Sequence, residues 1–143
     1  MSSTKFIAIL PQPTQPGDKI QISGRISDHA EKFSINFANE VNENPQSITY
    51  SFNWDLANKM LIEDYKEDDE WKNRIETEFD TFDEPEFALE FAFQDDGIYV
   101  YLVSEDGRNL VTHYQPEIDF QFIESVQVCD DVEKVTQLTF SYN

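Results

Sequence analysis

Cysteine is almost missing from this chain: Cys129 is the only one in 143 residues. No intrachain disulfide and no cysteine-based metal cluster can form, so a disulfide-stapled extracellular fold is excluded. Positive charge is scarce as well. Ten Lys and Arg stand against 29 Asp and Glu, a formal charge of −19 with a pI near 4.1, and such a chain repels phosphate backbones and anionic headgroups alike. Neither nucleic acid nor membrane insertion is expected. Long apolar runs are absent too: the opening "MSSTKFIAILPQP" has an apolar run of five residues ended by Pro11, too short for a signal-peptide core or a span. Cytoplasmic synthesis is expected, with export by a route that needs no signal peptide left open. No Asn-x-Ser/Thr acceptor occurs.

Aromatic residues are plentiful. Twelve Phe, six Tyr and two Trp make 14% of the chain, an excess that suits pleated, half-buried surfaces. Period-two alternation recurs: Phe33, Ile35, Phe37; Ile48, Tyr50, Phe52; Phe87, Leu89, Phe91, Phe93; Leu138, Phe140, Tyr142. These read as strands with one buried face. "GIYVYLV" is apolar on both parities and predicts a strand covered on both sides. Asp96-Gly97 and Asp106-Gly107 flank it as tight-turn pairs. The stretch "NKMLIEDYKEDDEWKNRIE" lacks helical periodicity and predicts a strand, an acidic solvated loop and a second strand. Ten or eleven short strands in a chain of single-domain size imply an all-β, two-sheet antiparallel β-sandwich of jelly-roll type, one domain over residues 1–143.

Chemistry-bearing residues concentrate in "YSFNWDLANKMLIEDYKEDDEWKNRIE". Ser51, Asn53 and Asp55 alternate against Tyr50, Phe52 and Trp54, so Trp54 shares the core parity of Phe52. Trp71, beside polar alternation, is either a stacking platform or an edge of the core. Arg74 and Glu76 are two apart, which on a strand places them on one face, as a simple ion pair or a ligand clamp. Glu63 and Asp55 are too few for a convincing cation site, and no metal or cofactor is expected. Two carboxylates of a glycoside hydrolase could be sought in Glu86 and Glu90, or Glu76 and Glu78, but acidic residues are so frequent that such pairs arise by chance. No enzyme is expected. His29 and His113 have no nucleophile signature nearby, and Cys129 in "VQVC" reads as a buried small hydrophobe.

The order of marks resembles the galectin family over nearly the whole chain. "PGDKIQISG" resembles its opening Pro-Gly strand, "AEKFSINF" its Ala-x-x-Phe-x-Ile-Asn segment, "EFALEFAF" the Phe-Glu-Leu strand after the sugar site, and "VQVCDDVEK" the closing strand. The resemblance implies a galectin-like sandwich that binds β-galactosides without metal or catalysis. The family's sugar site reads His-x-Asn-x-Arg, Val-x-Asn, Trp-Gly-x-Glu-x-Arg. The matching positions here are Ser51, Asn53, Asp55; Leu61, Glu63; and Trp71, Arg74, Glu76. Only Asn53 and Trp71 agree. The expected carbohydrate site is therefore Ser51, Asn53, Asp55, Glu63, Trp71, Arg74 and Glu76 in one groove, its formal charge moved from the family's +1 to −2. Because unpaired hydroxyl partners cost about 1–3 kcal/mol each, little or no lactose affinity is expected. The expected ligand is another glycan or glycoconjugate, neutral or cationic rather than sulfated; the alternative is a protein partner bound by a domain that has lost sugar. "KFIAIL" and "LTFSYN" resemble terminal strands through which some galectins pair, so the expectation is a monomer or weak homodimer.

Overall fold

The computed structural model describes residues 4–79 and 84–143. Among them are eleven strands: β1 (Thr4–Ile9), β2 (Lys19–Ile26), β3 (Lys32–Ala38), β4 (Ile48–Asp55), β5 (Met60–Glu67), β6 (Glu70–Glu78), β7 (Glu86–Gln94), β8 (Gly97–Ser104), β9 (Gly107–Tyr114), β10 (Ser125–Asp130) and β11 (Val132–Ser141). They pair antiparallel into a six-stranded sheet, β1-β10-β3-β4-β5-β6, and a five-stranded sheet, β11-β2-β7-β8-β9. This is the expected two-sheet sandwich. A single turn of 3-10 helix (Phe120–Phe122) leads into β10.

The inward parities of the two sheets supply the core. Phe33, Phe37, Phe52 and Trp54 from the six-stranded sheet meet Phe87, Phe91 and Phe93 from the other, all at 3% exposure or less. Phe37 and Phe52 both meet Phe91 edge-on, with ring centroids 4.8 and 5.5 Å apart, the arrangement that aromatic quadrupoles favour. Trp54 lies in this layer as its parity predicts, edge-on to Phe79. Cys129 is buried.

Three expectations need correction. The acidic run "EDYKEDDE" is no loop: β5 and β6 close a hairpin on Asp68 and Asp69, both at positive φ. That backbone twist matches a two-residue hairpin turn, and aspartate tolerates it better than most residues. At the β7–β8 turn the centre is Asp95-Asp96, while Gly97 pairs with Gln94 at φ +133°; the glycine follows the turn and supplies the positive φ that other residues avoid. Finally, β8 is covered on one side only. Ile98 and Val100 are buried, whereas Tyr99 and Tyr101 stand half-exposed on the outer face. Tyrosine looks apolar in a hydropathy pattern yet tolerates a wet face through its hydroxyl.

Candidate functional site

A groove of about 540 Å3 lies on the outer face of the six-stranded sheet. Strand β4 forms its floor. Asn53 pairs with Ile62 and Ser51 with Asp64 across β4–β5, which puts these four side chains on the groove side. Their amides and hydroxyls are already linked. Asn53 Nδ2 donates to Ser51 Oγ at 3.0 Å, to the Ile62 carbonyl at 3.1 Å and to Asp64 Oδ1 at 3.4 Å. Ser51 Oγ donates in turn to Asn36 Oδ1 at 2.6 Å. With its donors engaged, Asn53 offers a ligand chiefly its carbonyl oxygen.

Strand β6 forms one wall, and an irregularity shapes it. The β5–β6 register shifts between Glu63 and Tyr65, opposite Asn73, which sits at φ 54°. Trp71 then pairs with Lys66 and Glu76 with Ile62. Five residues apart, an odd spacing, Trp71 and Glu76 still face the same way, because a bulge re-aims side chains. The Trp71 indole is 52% exposed and lines the groove, with Lys66 Nζ 5.5 Å from its ring centre. Arg74 Nε is 3.3 Å from Glu76 Oε2, both well exposed, so the pair itself contributes little stability.

Of the seven residues expected in the groove, Asn53, Asp55, Trp71 and Arg74 line it, and Glu76 stands beside Arg74. Ser51 is on the correct face but only 1% exposed, sealed beneath Asn53. Asp55 is largely engaged in the β4–β5 turn, its two oxygens accepting from Asn58 N at 3.1 Å and Asn58 Nδ2 at 2.9 Å. Glu63 is the correction. It pairs with Phe52 and so faces the core, 2% exposed, where Tyr50 Oη donates to it at 2.5 Å and Thr112 Oγ1 at 2.9 Å. Glu63 and Asp55 accordingly point to opposite sides of the sheet.

Asp64 occupies the groove instead. Burial pushes its carboxyl up to about 6, against the opposing pull of Arg74 and the Asn53 hydrogen bond. Burial also raises Glu63, with the Tyr50 and Thr112 hydrogen bonds opposing. The Tyr50 hydroxyl is raised by its own burial first and by the Glu63 charge second. A signal for this placement was present: Leu61, strongly apolar, shares the parity of Glu63 and marks it as the core side.

Lys32 and Lys72 also line the groove, with Asp130, and neither lysine stood out in the sequence. The lining cations are then Lys32, Lys72 and Arg74, and the lining carboxylates Asp55, Asp64 and Asp130, a wider set than the positions on which the −2 was counted. Lys72 is held to Glu67 at 3.1 Å. The groove is mixed in sign on a strongly acidic protein.

An outward indole and a polar strand floor share one groove on a two-sheet antiparallel sandwich, a concave, partly apolar surface of the kind that takes ligands. A family model for the galactoside-binding lectins matches residues 5–140, and the chain belongs to that family, the galectins, whose members are carbohydrate-binding and generally non-catalytic. Among solved structures it is similar to a doubly substituted human galectin-16, with a TM-score of 0.81 at 16% identity, covering 96% of this chain and 95% of that one. It is similar also to a singly substituted human galectin-16, with a TM-score of 0.80 at 16% identity over 95% and 94% of the two chains. Sheep galectin-11 in complex with glycerol gives a TM-score of 0.80 at 10% identity over 97% and 98%. No curated protein sequence matches the chain.

Proposed function

We propose that the groove on the six-stranded sheet binds carbohydrate without catalysis and with specificity moved away from plain β-galactosides. The observation that carries this reading is the half-exposed Trp71 indole, which lines one groove with Asn53, Asp64 and Arg74. An indole can cover the C–H face of a pyranose and exclude water, while the carboxylate and guanidinium accept from and donate to hydroxyls. The lactose-directed donors are reduced. Asp55 brings acceptors where the family has an arginine fork, and Ser51 lies too deep for direct contact. Neutral or amino-bearing glycans fit a groove of mixed sign under a field of −19 better than sulfated ones do. A single recognition domain, monomeric at low salt with at most weak pairing through the terminal edge strands, goes with this reading.

The test is a glycan array with neutral, sulfated and amino-sugar probes, followed by calorimetry with the best probe and with lactose. Binding of a non-lactose glycan is expected, with affinity reduced roughly tenfold or more in Trp71→Ala, the loss of one good stacking contact. Micromolar lactose affinity would overturn the specificity argument. Silence across the array, with binding to a protein ligand that Trp71→Ala removes, would favour a protein-recognition role for the same groove.

A further inference from the structure

The outer face of the five-stranded sheet carries a second aromatic site. Tyr99 and Tyr101 alternate on β8 and project from the same side. Across β9, Tyr99 pairs with His113, and the two rings stack with centroids 4.1 Å apart and planes 7° apart. The Tyr99 hydroxyl donates to Asp96 Oδ2 at 2.7 Å, and His113 Nε2 is 2.7 Å from the Asp96 carbonyl. Both ends of the tyrosine are thereby held. Tyr101 is covered by the Arg108 guanidinium, 4.1 Å from its ring centre, and Arg108 is itself paired with Glu90. Across β7, in contrast, Tyr99 pairs with Ala92. Ala92 is itself buried, and Tyr99 and Tyr101 line a trough of about 440 Å3 together with Lys19, Gln94, Asp95 and Arg108.

We propose that this trough is a second carbohydrate site, which takes a neutral pyranose of an oligosaccharide against Tyr99. A ring already locked by stacking and a hydrogen bond loses little freedom on binding, so its contact area is converted to affinity at low entropic cost. Donors from Lys19, Gln94 and Arg108 and acceptors from Gln94 and Asp95 surround the ring, as a polyhydroxylated ligand requires. The charges of either sign offset one another locally, which gives an anionic ligand no advantage. A protein partner is disfavoured because the neighbouring outward positions, Gln21, Ser23, Gln137 and Thr139, are small or polar. Leu110, exposed opposite Tyr101, is a single apolar side chain, too little for the centre of an interface in which each partner buries roughly 800 Å2. This site lies on the opposite sheet from the Trp71 groove, and the inference does not depend on that groove binding sugar.

The experiment is two-dimensional amide NMR of the full chain titrated with millimolar cellotetraose, maltotetraose and chitotriose. At least one sugar is expected to shift the amides of Ala92, Tyr99 and Tyr101, with the midpoint unchanged in Trp71→Ala. Tyr99→Ala should weaken that midpoint roughly tenfold. Ala92→Gln, which puts a longer side chain between Lys19 and Tyr99 and so into the trough, should weaken it similarly. Absence of these shifts with all three sugars would overturn the proposal, as would their loss in Trp71→Ala or their persistence in Ala92→Gln.

Discussion

Glu63 and Asp64 are neighbours on one strand, yet they belong to different parts of the molecule. Glu63 points between the sheets, where hydroxyls from both of them, Tyr50 and Thr112, donate to it. Asp64 points into the groove, between the Asn53 amide and the Arg74 charge. Burial raises both carboxyls, but the consequences differ. On the core side a carboxylate has no route to water and must be satisfied by fixed hydroxyls, so it ties the sheets together. On the groove side the same chemistry remains within reach of a ligand. A similar pigment of residues thus serves cohesion on one parity and recognition on the other.

The largest expected effect breaks that comparison on the core side. Glu63→Ala leaves the Tyr50 and Thr112 hydroxyls without their acceptor and opens a cavity, so unfolding in urea should show a loss of about 2–4 kcal/mol. Asp64→Ala, in contrast, should stay within about 1 kcal/mol. Equal losses from the two variants would mean that the sides are not distinct. Glu63→Gln, which keeps the shape and one acceptor oxygen while the other hydroxyl must turn to accept from the amide, should recover part of the stability.

A second test exchanges groove residues for those of the family pattern. Ser51→His, Asp55→Arg, Asp64→Asn, Arg74→Glu and Glu76→Arg together should raise lactose affinity by about tenfold or more in calorimetry, whereas each alone should do little, because the groups act as one network. Replacing Asp64→Asn by Glu63→Asn in that set should instead lower stability. If the Glu63 version gains lactose affinity and keeps its stability, the face assignment of β5 is wrong.

The smallest effect is in pH. Because Asp64 is raised to about 6, glycan affinity should change severalfold between about pH 5 and 7, and the change should vanish in Asp64→Asn. Stability has a defined sign as well. Carboxyls raised in the folded state keep their protons longer there than in the unfolded chain. Their contribution is therefore most favourable below the unfolded pKa near 4, and is lost as pH rises through the folded values. Urea midpoints measured across that window should fall with pH more steeply in the wild type than in Glu63→Gln/Asp64→Asn.

Much of this was legible beforehand, for definite reasons. Alternating Phe33, Ile35, Phe37 and Ile48, Tyr50, Phe52 announce strands because a pleated strand has a period of two. Trp54 was separable from Trp71 by the same parity. Asn53, Trp71 and Arg74 were placed together only through the resemblance of their positions to the galectin sugar-site motif. Two bulges set the limit. The β4–β5 register shifts between Ile48 and Ser51, and the β5–β6 register between Glu63 and Tyr65; neither irregularity has a mark in the residue pattern.

Composition and alternation by themselves determined that this chain is an acidic, all-β sandwich with an aromatic core, since those properties depend on residues and their nearest neighbours along the strand. The parity of Leu61 already hinted that Glu63 turns inward, and the β4–β5 register then fixed Asp64 as the acidic residue in the groove, because a slip of one position sends every side chain of a strand to the other face. Packing of strands distant in sequence decided the rest. It brought Lys32 and Lys72 to the groove, tied Asp55 to its own turn, set Ser51 beneath Asn53, and left Tyr99 open beside Ala92. Such neighbours exist only once the sheets have formed, because the contacts that define them join residues with no proximity along the chain.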